Sequence, residues 1–256
     1  MNIIGIIPAR LASTRLPNKP FADILGMPMI GHVYQRAKLC SILNEVYVAT
    51  CDNEIADYIT KINGKFVMTS NEHERASDRS AEALLKIEAE TGKRVDIVVM
   101  IQGDEPMITP DMINASIQPL LNDKSIFITN LMEYMLSEEE HEDPAEVKVV
   151  VDKFSNALYF SREPIPSRKK GASVIPMLKQ VCIIPFLRDF LIEYNNLLPT
   201  PLEIIESIDM NRVLENGLKI RMVLCDEITY SVDTLSDLNR VNDLMKNDKY
   251  ISKYQL

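Results

Sequence analysis

No pair among the four cysteines, Cys40, Cys51, Cys182 and Cys225, has CxxC spacing, and the three histidines, His32, His73 and His141, are scattered. A zinc site built from such ligands is not expected. Isolated cysteines in a chain of 256 residues read instead as reduced, buried apolar side chains. No apolar run approaches the length of about 18 residues that a membrane-spanning helix needs. The N-terminus has no cationic segment leading into an apolar stretch and no small-residue cleavage site, which predicts a cytoplasmic protein with no membrane partner. Neither G-x-G-x-x-G nor G-x-x-x-x-G-K-[ST] occurs, so dinucleotide and P-loop readings are weak. Internal repeats and low-complexity segments are missing too. Basic charge is in deficit, with 28 Lys and Arg against 37 Asp and Glu and a net charge of −9. That balance argues against nucleic acid as a partner, because neutralising phosphates needs a basic face.

What is present is a chain 46% hydrophobic and 25% charged, enough for one substantial core with a smaller lobe. Asn2 to Ile7 is an apolar run with four isoleucines, suited to a fully buried strand. It stops at Pro8, and a polar loop follows with Arg10, Ser13, Thr14, Arg15 and Lys19. Three cations directly after a buried strand suit a polyphosphate, with Arg offering a planar fork and Lys a point charge. A merely solvated basic loop is the competing reading.

Strand and helix then alternate. Helical spacing covers Met27 to Cys40, Glu54 to Ile62 and Asp78 to Thr91. Strands are predicted at Glu45 to Thr50, Lys65 to Met68 and Asp96 to Ile101. This pattern predicts an α/β fold, Rossmann-like, with a mostly parallel sheet and helices on both faces. The fourth strand runs into Gln102-Gly103-Asp104-Glu105-Pro106. A carboxylate at a strand's carboxyl end can hold Mg²⁺, which takes hard oxygens and substrate phosphates, although an Asp before a turn Pro is also common.

Pro110 to Leu121 reads as a helix, Ser125 to Met132 as a strand, and the acidic stretch Ser137 to Asp143 as a solvated face. A β-hairpin over Glu146 to Phe160 breaks the rhythm, which places a smaller α+β lobe at 143–215, between core segments 1–142 and 216–256. Ser161 to Gly171 reads as a basic loop. A strand over Gln180 to Pro185, helices over Phe186 to Asn195 and Leu202 to Glu215, and a strand over Lys219 to Leu224 returning to the main sheet complete the expectation. Asp233 precedes a helix over Leu235 to Met245, where it is as good an N-cap as a ligand.

PARLASTRLPNKPF, residues 8–21, resembles the opening of the cytidylyltransferases that activate acidic sugars, in particular the 3-deoxy-manno-octulosonate (Kdo) cytidylyltransferase family. The similarity runs from Ile3 to about Val241. QGDEP resembles that family's metal motif, and Val232-Asp233-Thr234 the motif of its second metal carboxylate. Met68-Thr69-Ser70 matches as well. HERASDR resembles the nucleotide-contacting S-G-T-D-R segment, with Ala76 and Ser77 replacing Gly-Thr.

The resemblance implies a nucleotidyltransferase fold of the glycosyltransferase-A type and CTP-dependent transfer of CMP to an acidic sugar, with Mg²⁺ as cofactor. Nucleotide would be held by Pro8, Ala9, Arg10, Ser13, Arg15, Lys19, Ser77, Asp78, Arg79 and Gln102. Arg10, Lys19 and Asp104 would be catalytic, Asp104 and Asp233 would bind metal, and Gln102, Arg162, Gln180 and Asp209 would face the sugar. A homodimer through the smaller lobe is implied too, a reading to which strand edges in need of cover also point.

Three family polar residues have other counterparts here: Gln180 for a His, Ile184 for a Tyr and Met210 for an amide. These changes predict weakened handling of Kdo and leave another acidic sugar or a phosphonate as an alternative substrate. A non-catalytic nucleotide-binding protein of the same fold is the reading of a different class.

Overall fold

Ile3–Ala9 forms β1, and burial of Ile3, Ile4, Ile6 and Ile7 on both faces explains its uninterrupted apolar sequence. The computed structural model describes every residue except Thr14, Ser173, Gln255 and Leu256. Two compact units result, Met1–Asn114 with Thr229–Leu256, and Ala115–Ile228.

In the first unit the short strands β2 (Asp23–Ile24) and β3 (Met27–Pro28) form a small hairpin that leads into α1 (Met29–Lys38). Helix α1 buries Met29, Ile30, Val33, Tyr34 and Ala37, the residues whose spacing predicted it. β4 (Glu45–Thr50), α2 (Asn53–Lys61), β5 (Lys65–Met68), α3 (Ala76–Thr91) and β6 (Ile97–Ile101) follow. Gly92, at φ 65°, closes α3 in the left-handed conformation that glycine takes without strain. The strands lie in the order β6-β1-β4-β5, all parallel, with Ile4 opposite Glu45 and Ile3 opposite Ile97.

α4 (Pro110–Asn122) crosses the division between the units. The second unit holds β7 (Thr129–Tyr134), α5 (Glu138–Glu142), β8 (Lys148–Val151), β9 (Ala157–Ser161), β10 (Leu178–Val181), β11 (Ile183–Leu187), α6 (Arg188–Asn195), α7 (Pro201–Glu206), α8 (Met210–Glu215) and β12 (Arg221–Leu224). α9 (Leu235–Met245) returns to the first unit.

Several expectations give way here. β12 does not return to the main sheet: it pairs parallel with β7, in a sheet ordered β12-β7-β10-β8-β9. The second unit therefore extends beyond 143–215 at both ends. Residues 202–215 are two helices, because Ser207 turns left-handed at φ 54° and ends α7. The predicted strand at 180–185 is interrupted at Cys182. The acidic stretch is not wholly solvated, since Glu140 of α5 pairs at 2.6 Å with Lys179, a lysine also flanked by Glu133 and Glu146. Burial alone would lower the Lys179 pKa, but the three carboxylates outweigh it and raise it.

The outer strands of the second sheet also meet. Asn156 and Arg221 form an antiparallel bridge, Ala157 N–H donates to the Ile220 carbonyl at 2.9 Å and Met222 N–H to that of Ser155 at 2.7 Å. The sheet curls back on itself, so part of the edge that seemed to need a second chain is covered by this one.

Candidate active site

Strands β4 and β5 are laid down on one side of β1, and β6 on the other. The chain thus reverses its direction of winding between β1 and β6, and in open parallel sheets the ligand crevice lies at the carboxyl ends of the strands at such a point. The loops after β1 and β6 leave from there. They carry Arg10, Ser13, Arg15 and Lys19 on one side, and Gln102 and Asp104 on the other. The two loops approach closely: a Cβ on Gly103 would stand 3.2 Å from the Pro8 carbonyl oxygen and 3.3 Å from the Ile30 side chain. A side chain in place of the glycine of QGDEP would crowd Pro8 and Ile30 at these distances.

Lys19 begins a 3-10 turn, Lys19–Phe21, behind Asn18 in the left-handed conformation at φ 54°, which asparagine tolerates better than most residues. The turn directs the Lys19 ammonium between two carboxylates, with Nζ 2.6 Å from both Asp104 Oδ2 and Asp233 Oδ1. Arg15 adds a contact at 2.8 Å to the other oxygen of Asp233. Burial would lower the Lys19 pKa; Asp104 and Asp233 more than offset it, so it stands raised and the side chain stays charged. Arg10 is exposed, and Asp52 fixes the loop beside it by accepting the Leu11 N–H at 2.7 Å. Asp52 gives no side-chain cap to α2; composition alone gave no sign of its actual role.

Whether Asp233 caps a helix or serves the site is decided by its neighbours. Thr234 is the N-cap of α9, and Asp237 completes the capping box by accepting from the backbone N–H groups of Asp233 and Thr234. The Asp233 carboxylate is left to the site. The segment is held there because Val232 N–H donates to the Asp104 carbonyl at 2.9 Å. Val232 also packs with Ile24, Met29, Val241 and Met245 in a small core of its own. Both carboxylates touch one ammonium, so their oxygens lie within two hydrogen-bond lengths of each other. Hard oxygens at that separation fit a small divalent cation that completes its shell with water and phosphate.

The loop after β5 lies at the same edge of the sheet. Arg79 is 2% exposed and turned inward, donating to Thr69 Oγ1 at 2.5 Å and to the carbonyls of Ser70 and His73. Glu82 accepts from Ser70 N–H and lies 2.5 Å from His73 Nε2. Arg79 and Glu82 together clamp residues 69–73. Ser77 is fully buried in the first turn of α3, next to Asp78.

The sugar-side candidates other than Gln102 all belong to the second unit. Arg162 Nε and Nη1 donate to the carbonyls of Glu206 and Pro144. Gln180 donates to Asn130 Oδ1 at 2.5 Å, and Asp209 precedes α8 while its carbonyl accepts from the Tyr194 hydroxyl. Ile184 and Met210 do not line a surface: they are 2% and 1% exposed, in β11 and α8. In this structure both side chains therefore lie among core residues rather than on an open face.

A family model described as cytidylyltransferase matches residues 4–220. The chain is 43% identical over 251 residues to a 3-deoxy-manno-octulosonate cytidylyltransferase from Geobacter metallireducens, covering 94% of this chain and 96% of that one. It is 41% identical to the protein of the same name from Fusobacterium nucleatum, over 97% and 98% of the two chains. The structure of a CMP:2-keto-3-deoxy-manno-octonic acid synthetase complexed with CTP superposes with a TM-score of 0.87 at 38% identity, covering 96% of this chain and 99% of that chain. The chain is thus a nucleotidyltransferase, an α/β enzyme. Within that class, the chain belongs to the cytidylyltransferase family.

Proposed function

We propose that the protein transfers CMP from CTP to 3-deoxy-manno-octulosonate, releasing pyrophosphate. The observation that carries this reading is the convergence of Lys19, Asp104 and Asp233 at the switch point of the parallel sheet. The names and the extent of identity of the relatives support the choice of nucleotide and sugar. Pyrophosphate release with CTP and Kdo tests it.

In the reaction the anomeric oxygen of the sugar attacks the α-phosphorus. The new O–P bond forms as the bond to the β-phosphate breaks, and the hydroxyl proton leaves to solvent. Sugar acid and triphosphate are both anions, so the barrier is largely electrostatic repulsion and misalignment. Arg10, Ser13, Arg15 and Lys19 line the loop after β1 and hold the triphosphate, with Pro8 and Ala9 shaping its approach. Asp104 and Asp233 would hold Mg²⁺, which when bound would supply positive charge against the phosphates. Arg79 acts from behind, holding the loop at 69–73 against which the nucleoside rests, with Ser77 and Asp78 at the start of α3. Gln102, Arg162, Gln180 and Asp209 serve the sugar.

The working form in this proposal is a cytoplasmic homodimer. Among the described residues no helix is long and apolar enough to cross a membrane. With part of the sheet edge covered, the support for a dimer moves to exposed apolar residues of the second unit, Leu202, Ile204 and Ile205 on α7.

A further inference from the structure

The Lys19 side chain is only 15% exposed, and its ammonium stands between the two carboxylates assigned to the metal. Two like charges this close repel unless a cation lies between them. Here the chain supplies that cation. The placement is built in, because Asn18 and the 3-10 turn fix where the side chain starts. A divalent ion entering the same carboxylates would face the ammonium at short range, so both cannot keep these positions. A lysine stem is flexible enough to move its charge aside, and a triphosphate offers that charge new oxygen partners.

We propose that Lys19 is an internal counter-ion which a divalent cation must displace, so that metal enters this site effectively only together with nucleotide. This rests on the function proposed above and extends it to the order of binding. Asp104 and Asp233 stay paired and neutralised in the resting enzyme, and an adventitious divalent ion is kept out. When CTP arrives, its phosphates draw the ammonium away and free the carboxylates. Arg15 contacts Asp233 as well, but its side chain is 58% exposed, so solvent screens it more strongly.

The test is Mn²⁺ binding to nucleotide-free protein, followed by electron paramagnetic resonance of free Mn²⁺. Lys19→Met removes the charge and keeps the length. It is expected to bind Mn²⁺ at least about 10-fold more tightly than wild type, while Lys19→Arg stays near wild type. Equal Mn²⁺ affinity in wild type and Lys19→Met overturns the proposal. Should Lys19→Met fail to fold by circular dichroism, wild-type Lys19 is followed instead by acylation and mass spectrometry. Mn²⁺ without nucleotide should then leave the labelling rate of Lys19 unchanged, because the ammonium keeps its place, and a rate that rises with Mn²⁺ overturns the idea. Neither measurement uses CTP, so a failed substrate assignment would appear separately, as absence of turnover.

Discussion

The backbone N–H of Val232 donates to the carbonyl of Asp104 at 2.9 Å, tying the loop after β6 to the segment before α9. The bond helps to set the spacing of two carboxylates that lie far apart in the chain.

Asp104→Asn keeps shape and volume but removes one of the carboxylates proposed to hold metal and one of the two that pair with Lys19. Turnover should fall by at least about 100-fold, as for loss of one preorganised electrostatic group. The far-ultraviolet spectrum should be unchanged, because the side chain is partly solvated and outside the core. Pyrophosphate release beside circular dichroism checks both. Near-normal activity, or an unfolded variant, would remove Asp104 from the role assigned to it.

Glu82 gives a pH signature. Burial alone would raise its pKa, but hydrogen bonds from Lys86, Ser70 and His73 prevail and hold it at about 2 instead of 4.5. A carboxylate depressed on folding adds stability above its unfolded pKa, and loses it as pH falls through the folded value. Wild type should therefore be more stable than Glu82→Gln near neutrality, with the gap closing between about pH 4.5 and about pH 2. Urea unfolding of both proteins across that range measures it, and a constant gap would contradict the assigned interaction.

Nucleotide preference is readable by thermal shift with Mg²⁺ and each of CTP, UTP, ATP and GTP. A preferred ligand raises apparent stability by mass action. CTP should give the largest shift. A larger one from ATP would refute the choice of nucleotide.

A dimer formed through the second unit should scatter light as about twice 29.1 kDa at micromolar concentration. Replacing Ile204 and Ile205 with Glu should halve the mass. Monomeric wild type would dispose of the dimer.

The sequence was most legible where burial is total. β1, β4 and β6 are apolar runs because both their faces are covered, and the alternation of helix and strand fixes a parallel sheet. Lys19, Asp104 and Asp233, which the family resemblance singled out, meet in the structure. What was hidden depends on long-range partners. No local pattern tells β12 to pair with β7. Ser207 turns left-handed within an otherwise helical stretch. Asp233 looked equally suited to capping until Thr234 and Asp237 took that task. That Ile184 and Met210 are buried was not visible from their match to polar family positions.

Steady-state pyrophosphate release with CTP, Mg²⁺ and Kdo bears most directly on the catalytic assignment. Release should require CTP and Kdo together, and one CMP-sugar should form per pyrophosphate. Release that ignores Kdo, or none with Kdo while another acidic sugar or a phosphonate is turned over, would contradict the assignment.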